Sequence, residues 1–153
     1  MKNFSIIVII LLISSTCFGQ ELNKVQEEIV KHYSSYTKKQ KKHIFTTMAN
    51  NYSKNCPQIL DDVSTLVTVQ PFLERPGLKF IIKFSWGKNH FTKNQWESLF
   101  SKLKENGKND WCSNPAYLFY RKLNDVIIVN EFFDKDYFFL KRTDIDFKKD
   151  CLD

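Results

Sequence analysis

Leu78, Phe80, Ile82, Phe84 and Trp86 recur at a strict period of two, alternating with Lys79, Ile81, Lys83 and Ser85. This pattern commits the middle of the chain to a β-strand with one face in a core. The preceding run, Val63 to Phe72, is rich in Val and Thr and reads as its partner. Between them Glu74-Arg75-Pro76-Gly77 has Pro and Gly in the order a type II turn favours. The pair forms an expected hairpin.

Helical spacing flanks that hairpin. Leu22, Val25, Ile29, Val30, Tyr33 and Tyr36 recur three and four residues apart. The run Lys38-Lys39-Gln40-Lys41-Lys42 interrupts the stripe, and Ile44, Phe45, Met48 and Tyr52 resume it. Either one long helix passes through the lysines or two are joined there. Cys56-Pro57 closes the segment, because the residue before proline is pushed out of the helical region. Thr92-Lys93-Asn94-Gln95 fits a capping box leading into a stripe of Trp96, Leu99, Phe100 and Leu103, with Gly107 as its expected end. Cys112-Ser113-Asn114-Pro115 then reads as the start of a short helix.

A second hairpin follows, Val126 to Phe133 and Tyr137 to Leu140, around Asp134-Lys135-Asp136. The expected fold is α+β: an antiparallel sheet of about four strands, as two hairpins, packed against N-terminal and central helices. The last two strands are apolar on both faces, whereas strands with one wet face alternate. A helix, a second copy or a partner must therefore cover the second face, which makes Phe133 and Phe138 candidates for a binding surface.

The N-terminus carries an export signal. Met1-Lys2-Asn3 is a short positive region, and Ile6 to Ile13 is an apolar run. That run is too short for a spanning helix, which takes about 20 apolar residues. Cys17-Phe18-Gly19 supplies a small-x-small cleavage pattern, so residues 1–19 are read as a signal peptide and residues 20–153 as a single domain. No stable transmembrane anchor is expected. Lipidation at Cys17 is the rival, disfavoured by Ser14 and Thr16, which stand where an aliphatic and a Gly or Ala belong. The product is periplasmic or secreted. Net charge is +6 with 14 Phe, 6 Tyr and 3 Trp, enough apolar surface for a core without a metal. Export argues against nucleic acid as the partner of that charge and favours acidic proteins or anionic envelope components.

Cys56, Cys112 and Cys151 remain after processing. In an oxidising compartment they form one disulfide and leave one thiol, with three pairings open. Cys112–Cys151 is the expected one, because Cys112 precedes the helix that leads into the final hairpin and Cys151 follows that hairpin. Cys56 is the competitor.

Catalytic constellations are absent from the sequence. His32, His43 and His90 have no metal-site spacing, and His32 and His43 on one helix would stand roughly 16 Å apart. Serine elbows, phosphate loops and glycine fingerprints are missing. Asp134-Lys135-Asp136 and Asp144-Ile145-Asp146 lack the glycine and the ligand number of a calcium loop. No cofactor or metal is expected. Lys38, Lys39, Lys41 and Lys42 are the remaining candidate binding surface, since four like charges in five residues repel one another unless an acidic partner relieves them.

Across roughly residues 62–153 the chain resembles a family of small exported bacterial proteins described as quorum-sensing-regulated virulence factors, together with envelope proteins of unknown function around it. The resemblance rests on Cys112-Ser113-Asn114-Pro115, the strand Val126 to Phe133, the turn at Asp134, the strand after it and the closing Cys151. It implies a small α+β envelope protein with a disulfide. The expected function is a non-enzymatic protein-binding module of inhibitor, immunity or envelope-assembly type. The alternatives are a cell-surface binder of anionic polymer or lipid through the lysine run, and an enzyme using the odd cysteine.

Overall fold

Two reciprocal caps divide the N-terminal helical region. A computed structural model describes residues 22–151; the expected signal segment, its cleavage site and Cys17 lie outside the described residues. Asn23 accepts from Gln26 N–H and Gln26 reaches back, opening α1 (Lys24–His32). Thr37 and Gln40 repeat the arrangement and open α2 (Lys38–Ser53). Each box satisfies two otherwise orphaned N–H groups. The region is therefore two helices joined by a 3₁₀ turn, Tyr33–Ser35, and the lysine run is the first turn of α2.

A short edge strand, β1 (Gln58–Asp61), precedes the expected hairpin of β2 (Ser64–Pro71) and β3 (Gly77–Phe84). The long α3 (Lys93–Ser113) begins at the Thr92–Gln95 box and runs through Gly107. Gly107 does not end it, because Trp111, one turn on, is buried against Phe80, Tyr117 and Phe147 and holds the last turns in place. Asn114 caps a 3₁₀ turn at Pro115–Tyr117, which leads into α4 (Leu118–Leu123). The chain finishes with β4 (Ile127–Phe133), β5 (Phe139–Asp146) and α5 (Phe147–Asp150).

The sheet has five strands in the order β1-β2-β3-β4-β5. Every pairing is antiparallel except β3 with β4, which run parallel from Gly77↔Ile127 to Lys83↔Phe133. The α+β architecture stands, with one strand more than expected and one parallel seam where the two hairpins meet. Gly77 explains how that seam closes. No described glycine has positive φ, so Gly77 does not serve a type II turn. A Cβ there would run into the Ile127 carbonyl, and its absence lets β4 approach β3.

Helices cover one face. Leu78, Phe80, Ile82 and Phe84 meet Ile128, Phe132 and Ile145 under Phe45 and Ala49 of α2 and Trp96, Phe100 and Trp111 of α3. Phe84 stacks on Phe132 at 5.6 Å and packs near Phe100 and Trp96. Each such side chain contributes about 1.5–3 kcal/mol on burial. The opposite face carries no helix among the described residues. Phe72, folded in from the β2–β3 turn, buries Ile127 and Val129 there, and the Arg142 guanidinium lies 5.0 Å over the Phe72 ring. Lys79–Glu131, Arg142–Asp144 and Arg75–Asp146 pairs extend the cover. Long side chains thus do on this face what a helix or partner was expected to do.

Candidate functional site

Tyr137, Phe138 and Phe139 are consecutive, so period-two alternation cannot send all three into a core. They form the tip of the β4–β5 turn and are exposed by 56%, 54% and 58%. The turn that presents them is fixed from below. Asp134 is fully buried, and its carboxylate accepts N–H bonds from Lys88 at 2.9 Å, Asp136 at 2.8 Å and Phe138 at 2.9 Å. Burial would raise the Asp134 carboxyl, but the backbone donors of Phe138, Lys88 and Asp136 outweigh it and hold it below its ordinary value. Those bonds occupy the oxygens that a calcium ion would need. Lys135 N–H donates to the Trp86 carbonyl, so the turn is also tied to the β3–α3 loop. Tyr137 sits at φ 64°, the left-handed region, which rotates its ring away from the strand line.

Lysines stand around this tip. Lys83 Nζ lies 4.7 Å over the Tyr137 ring and Lys88 Nζ 4.4 Å over Phe138. Lys135 is exposed on the same turn, its side chain reaching toward Gly87 of the β3–α3 loop. Phe133, half-buried, meets Phe139 edge-on at 5.8 Å. Phe133 thus contacts Phe139, whereas Phe138 packs with Lys88 and no ring contact joins it to Phe133.

β5 is an outer strand of the sheet. Phe147 N–H donates to the Val126 carbonyl, and the alternation of an antiparallel ladder then turns the N–H groups of Arg142 and Asp144 away from β4. The next outward N–H, that of Asp146, is taken by Asp150 Oδ2 at 2.8 Å. Burial rises along the strand, from exposed Phe139 through half-buried Leu140, Lys141 and Arg142 to buried Ile145. The accessible edge runs from the aromatic tip as far as Asp144, short of buried Ile145 and Asp146.

The lysine run divides. Lys38, Lys39 and Lys42 are exposed, whereas Lys41 turns inward, bonds Asp125 at 2.8 Å and lies 4.2 Å over the Tyr33 ring. The helix phase set by Phe45 and Ala49 puts Lys41 on their side. Lys41 ties α2 to the turn before β4 and so is not part of an open cationic surface. With no acidic residue in the first turn of α2, its three exposed neighbours crowd the positive end of the helix dipole.

Cys112 and Cys151 form a disulfide with Cα atoms 5.0 Å apart, joining the last turn of α3 to the end of α5. Cys56 is free and half-buried, its Sγ 3.7 Å from the Tyr52 carbonyl, and burial pushes its thiol up, against thiolate formation. His90 stacks on Trp86 at 5.1 Å, and His32 lies 3.4 Å from Glu28. Among the described residues no group of three or more His, Cys, Asp or Glu could hold a metal ion. No described helix is long and apolar enough to cross a membrane.

No family model matches the chain, and no curated protein is similar to it in sequence at a significant level. Solved structures do share its fold. One is the pilotin EpsS of the Vibrio vulnificus type 2 secretion system, with a TM-score of 0.55 and 9% identity over 76% of this chain and 96% of the pilotin. Another, from Pseudomonas aeruginosa and described as a candidate secreted protein, gives a TM-score of 0.60 and 13% identity over 75% of this chain and 96% of that one. At these identities the likeness is one of fold, and the fold is one found in a secretion-system pilotin.

Proposed function

We propose that this chain is an exported, non-enzymatic module of envelope-assembly type that works by binding another protein along the open edge of β5, at Arg142 and Asp144. The observation that carries the reading is the edge itself. Arg142 and Asp144 direct backbone N–H groups outward, and among the described residues no acceptor meets them. An extended partner segment can take those bonds as a sixth strand. The side chains of Lys141, Arg142 and Asp144 are held by pairs with Glu97 or with each other, which keeps them on the faces of the strand. The fold shared with a pilotin favours assembly over the inhibitor and immunity variants of the same reading.

A photo-crosslinking residue at position 144, introduced into the exported protein in its producing cell, tests this. One discrete protein adduct is expected there and none from Asn51, an exposed position on α2. Asp144→Pro removes one outward donor at a position where an edge strand tolerates proline. It should abolish the adduct formed from position 142 while the protein stays folded. An adduct indifferent to Asp144→Pro, or equal labelling from Asn51, would sink the reading.

A further inference from the structure

Exposure and charge separate the aromatic tip from the strand edge beside it. Tyr137, Phe138 and Phe139 follow one another around a turn, with Phe133 and Phe139 in contact on one side and Phe138 beside Lys88 on the other. Exposed apolar side chains thus gather at the tip of a turn. The tip is rigid, because the buried Asp134 carboxylate and the Lys135 N–H bond to Trp86 fix it before any ligand arrives. Little ordering entropy is then lost on insertion. Lys83 and Lys88 lie over its rings and Lys135 stands on the same turn, none of them in an ion pair within 4 Å among the described residues, although the charge of Lys88 helps hold the buried Asp134 carboxyl down. Asp136 is the one exposed acid on the turn. Elsewhere the sheet pairs its charges, as Lys79 with Glu131 and Lys141 with Glu97.

From this juxtaposition we infer that the Tyr137-Phe138-Phe139 tip is a membrane-docking site that seats its rings at the interface of an anionic lipid surface while Lys83, Lys88 and Lys135 meet the headgroups. Aromatic rings with apolar bodies settle at the headgroup level, and lysines snorkel outward from such a position. Lysines without an ion-pair partner at three exposed rings match a negative, soft, flat partner. A protein pocket for the same tip would have to be concave and acidic, and nothing in the sheet edge requires one. Docking in this way would hold the open edge of β5 close to the membrane plane.

The test uses exported protein shown by intact mass to carry no lipid adduct, sedimented with vesicles of phosphatidylglycerol and phosphatidylcholine mixed, and of phosphatidylcholine alone. Binding is expected on the mixed vesicles only and should weaken as salt is raised. Replacing the three rings together (Tyr137→Ser, Phe138→Ser, Phe139→Ser) should cost at least tenfold with an unchanged thermal midpoint, since all three are exposed. Lys83→Gln with Lys88→Gln and Lys135→Gln should cost about 100-fold, at roughly fivefold per lysine near an anionic surface. Lys38→Gln, Lys39→Gln and Lys42→Gln together, equal in charge removed, should leave a clear majority of the binding. Equal loss from that set, equal binding to uncharged vesicles, or full binding by the ring-less variant would overturn the assignment. Asp144→Pro should leave vesicle binding intact, so failure of the edge reading and failure of this one are told apart.

Discussion

Reduction or removal of the Cys112–Cys151 bond is the perturbation whose size follows most directly from the structure. The bond closes a loop of sequence separation 39 that contains α4, β4, β5 and α5. On the chain-entropy account a loop of that length restricts the unfolded chain enough to stabilise the fold by about 4 kcal/mol. The folded state should change little when the bond is gone. Phe147 stays buried with its ring 6.0 Å from that of Trp111, and Asp146 N–H still bonds Asp150. The loss therefore falls mainly on the unfolded chain. For a domain of this size it corresponds to a fall in Tm of about 15 °C. The assay is urea unfolding of wild type and the Cys112→Ser, Cys151→Ser pair, both in a Cys56→Ser background that prevents exchange. A difference below about 1 kcal/mol at an unchanged m-value would refute this reasoning. It would mean either that the unfolded chain is already constrained or that only α5 is released.

Lys41→Met should cost about 1–2 kcal/mol in the same assay, because it leaves Asp125 without its cation. Lys38→Gln, Lys39→Gln and Lys42→Gln should each stay within about 0.5 kcal/mol, tending toward stabilisation as the positive end of α2 is relieved; the reverse ranking would refute the division of the run. The Arg75 guanidinium, 2.6 Å from Asp146, holds that carboxyl below its ordinary value of 3.8 against the opposing effect of burial. A depressed folded value gives stability that is complete above the unfolded value and lost as pH falls through the folded one. The gap between wild type and Asp146→Asn should accordingly be full at neutral pH and close below about pH 4. A gap that held constant from pH 6 to pH 2 would contradict the assignment of that pair.

Local patterns carried the elements they could encode and no more. The alternation from Leu78 to Phe84 gave β3 because one face of that strand is dry and the other carries lysines. β1 has four residues with only two large apolar side chains, Ile59 turned to solvent and Leu60 buried, too few for a periodicity to mark it. The parallel pairing of β3 with β4 rests on Gly77 meeting Ile127, a contact between residues that no window spans. The role of Gly77 is hidden for the same reason: its missing side chain serves a neighbouring strand and not its own φ. Lys41 was legible in principle, four residues before Phe45 and eight before Ala49, but a run of lysines masks the helical phase of any one of them. The aromatic triplet was visible, while the lysines above its rings come from β3 and the β3–α3 loop and are placed by the tertiary fold alone.

The parallel seam also sets an order of events for a chain that emerges and folds N-terminus first. The meander of β1, β2 and β3 uses neighbouring residues and can assemble as soon as Phe84 has emerged. Its inner edge then waits, with Leu78, Phe80, Ile82 and Phe84 only partly covered by α2, until everything from Ser85 to Val126 has followed and β4 can slot in. During that interval the nascent protein displays an unpaired strand flanked by oily side chains, the form most open to mispairing with a second emerging copy. A holdase acting on the emerging chain would find its target on the half-finished edge of β3, a surface that the completed protein no longer possesses.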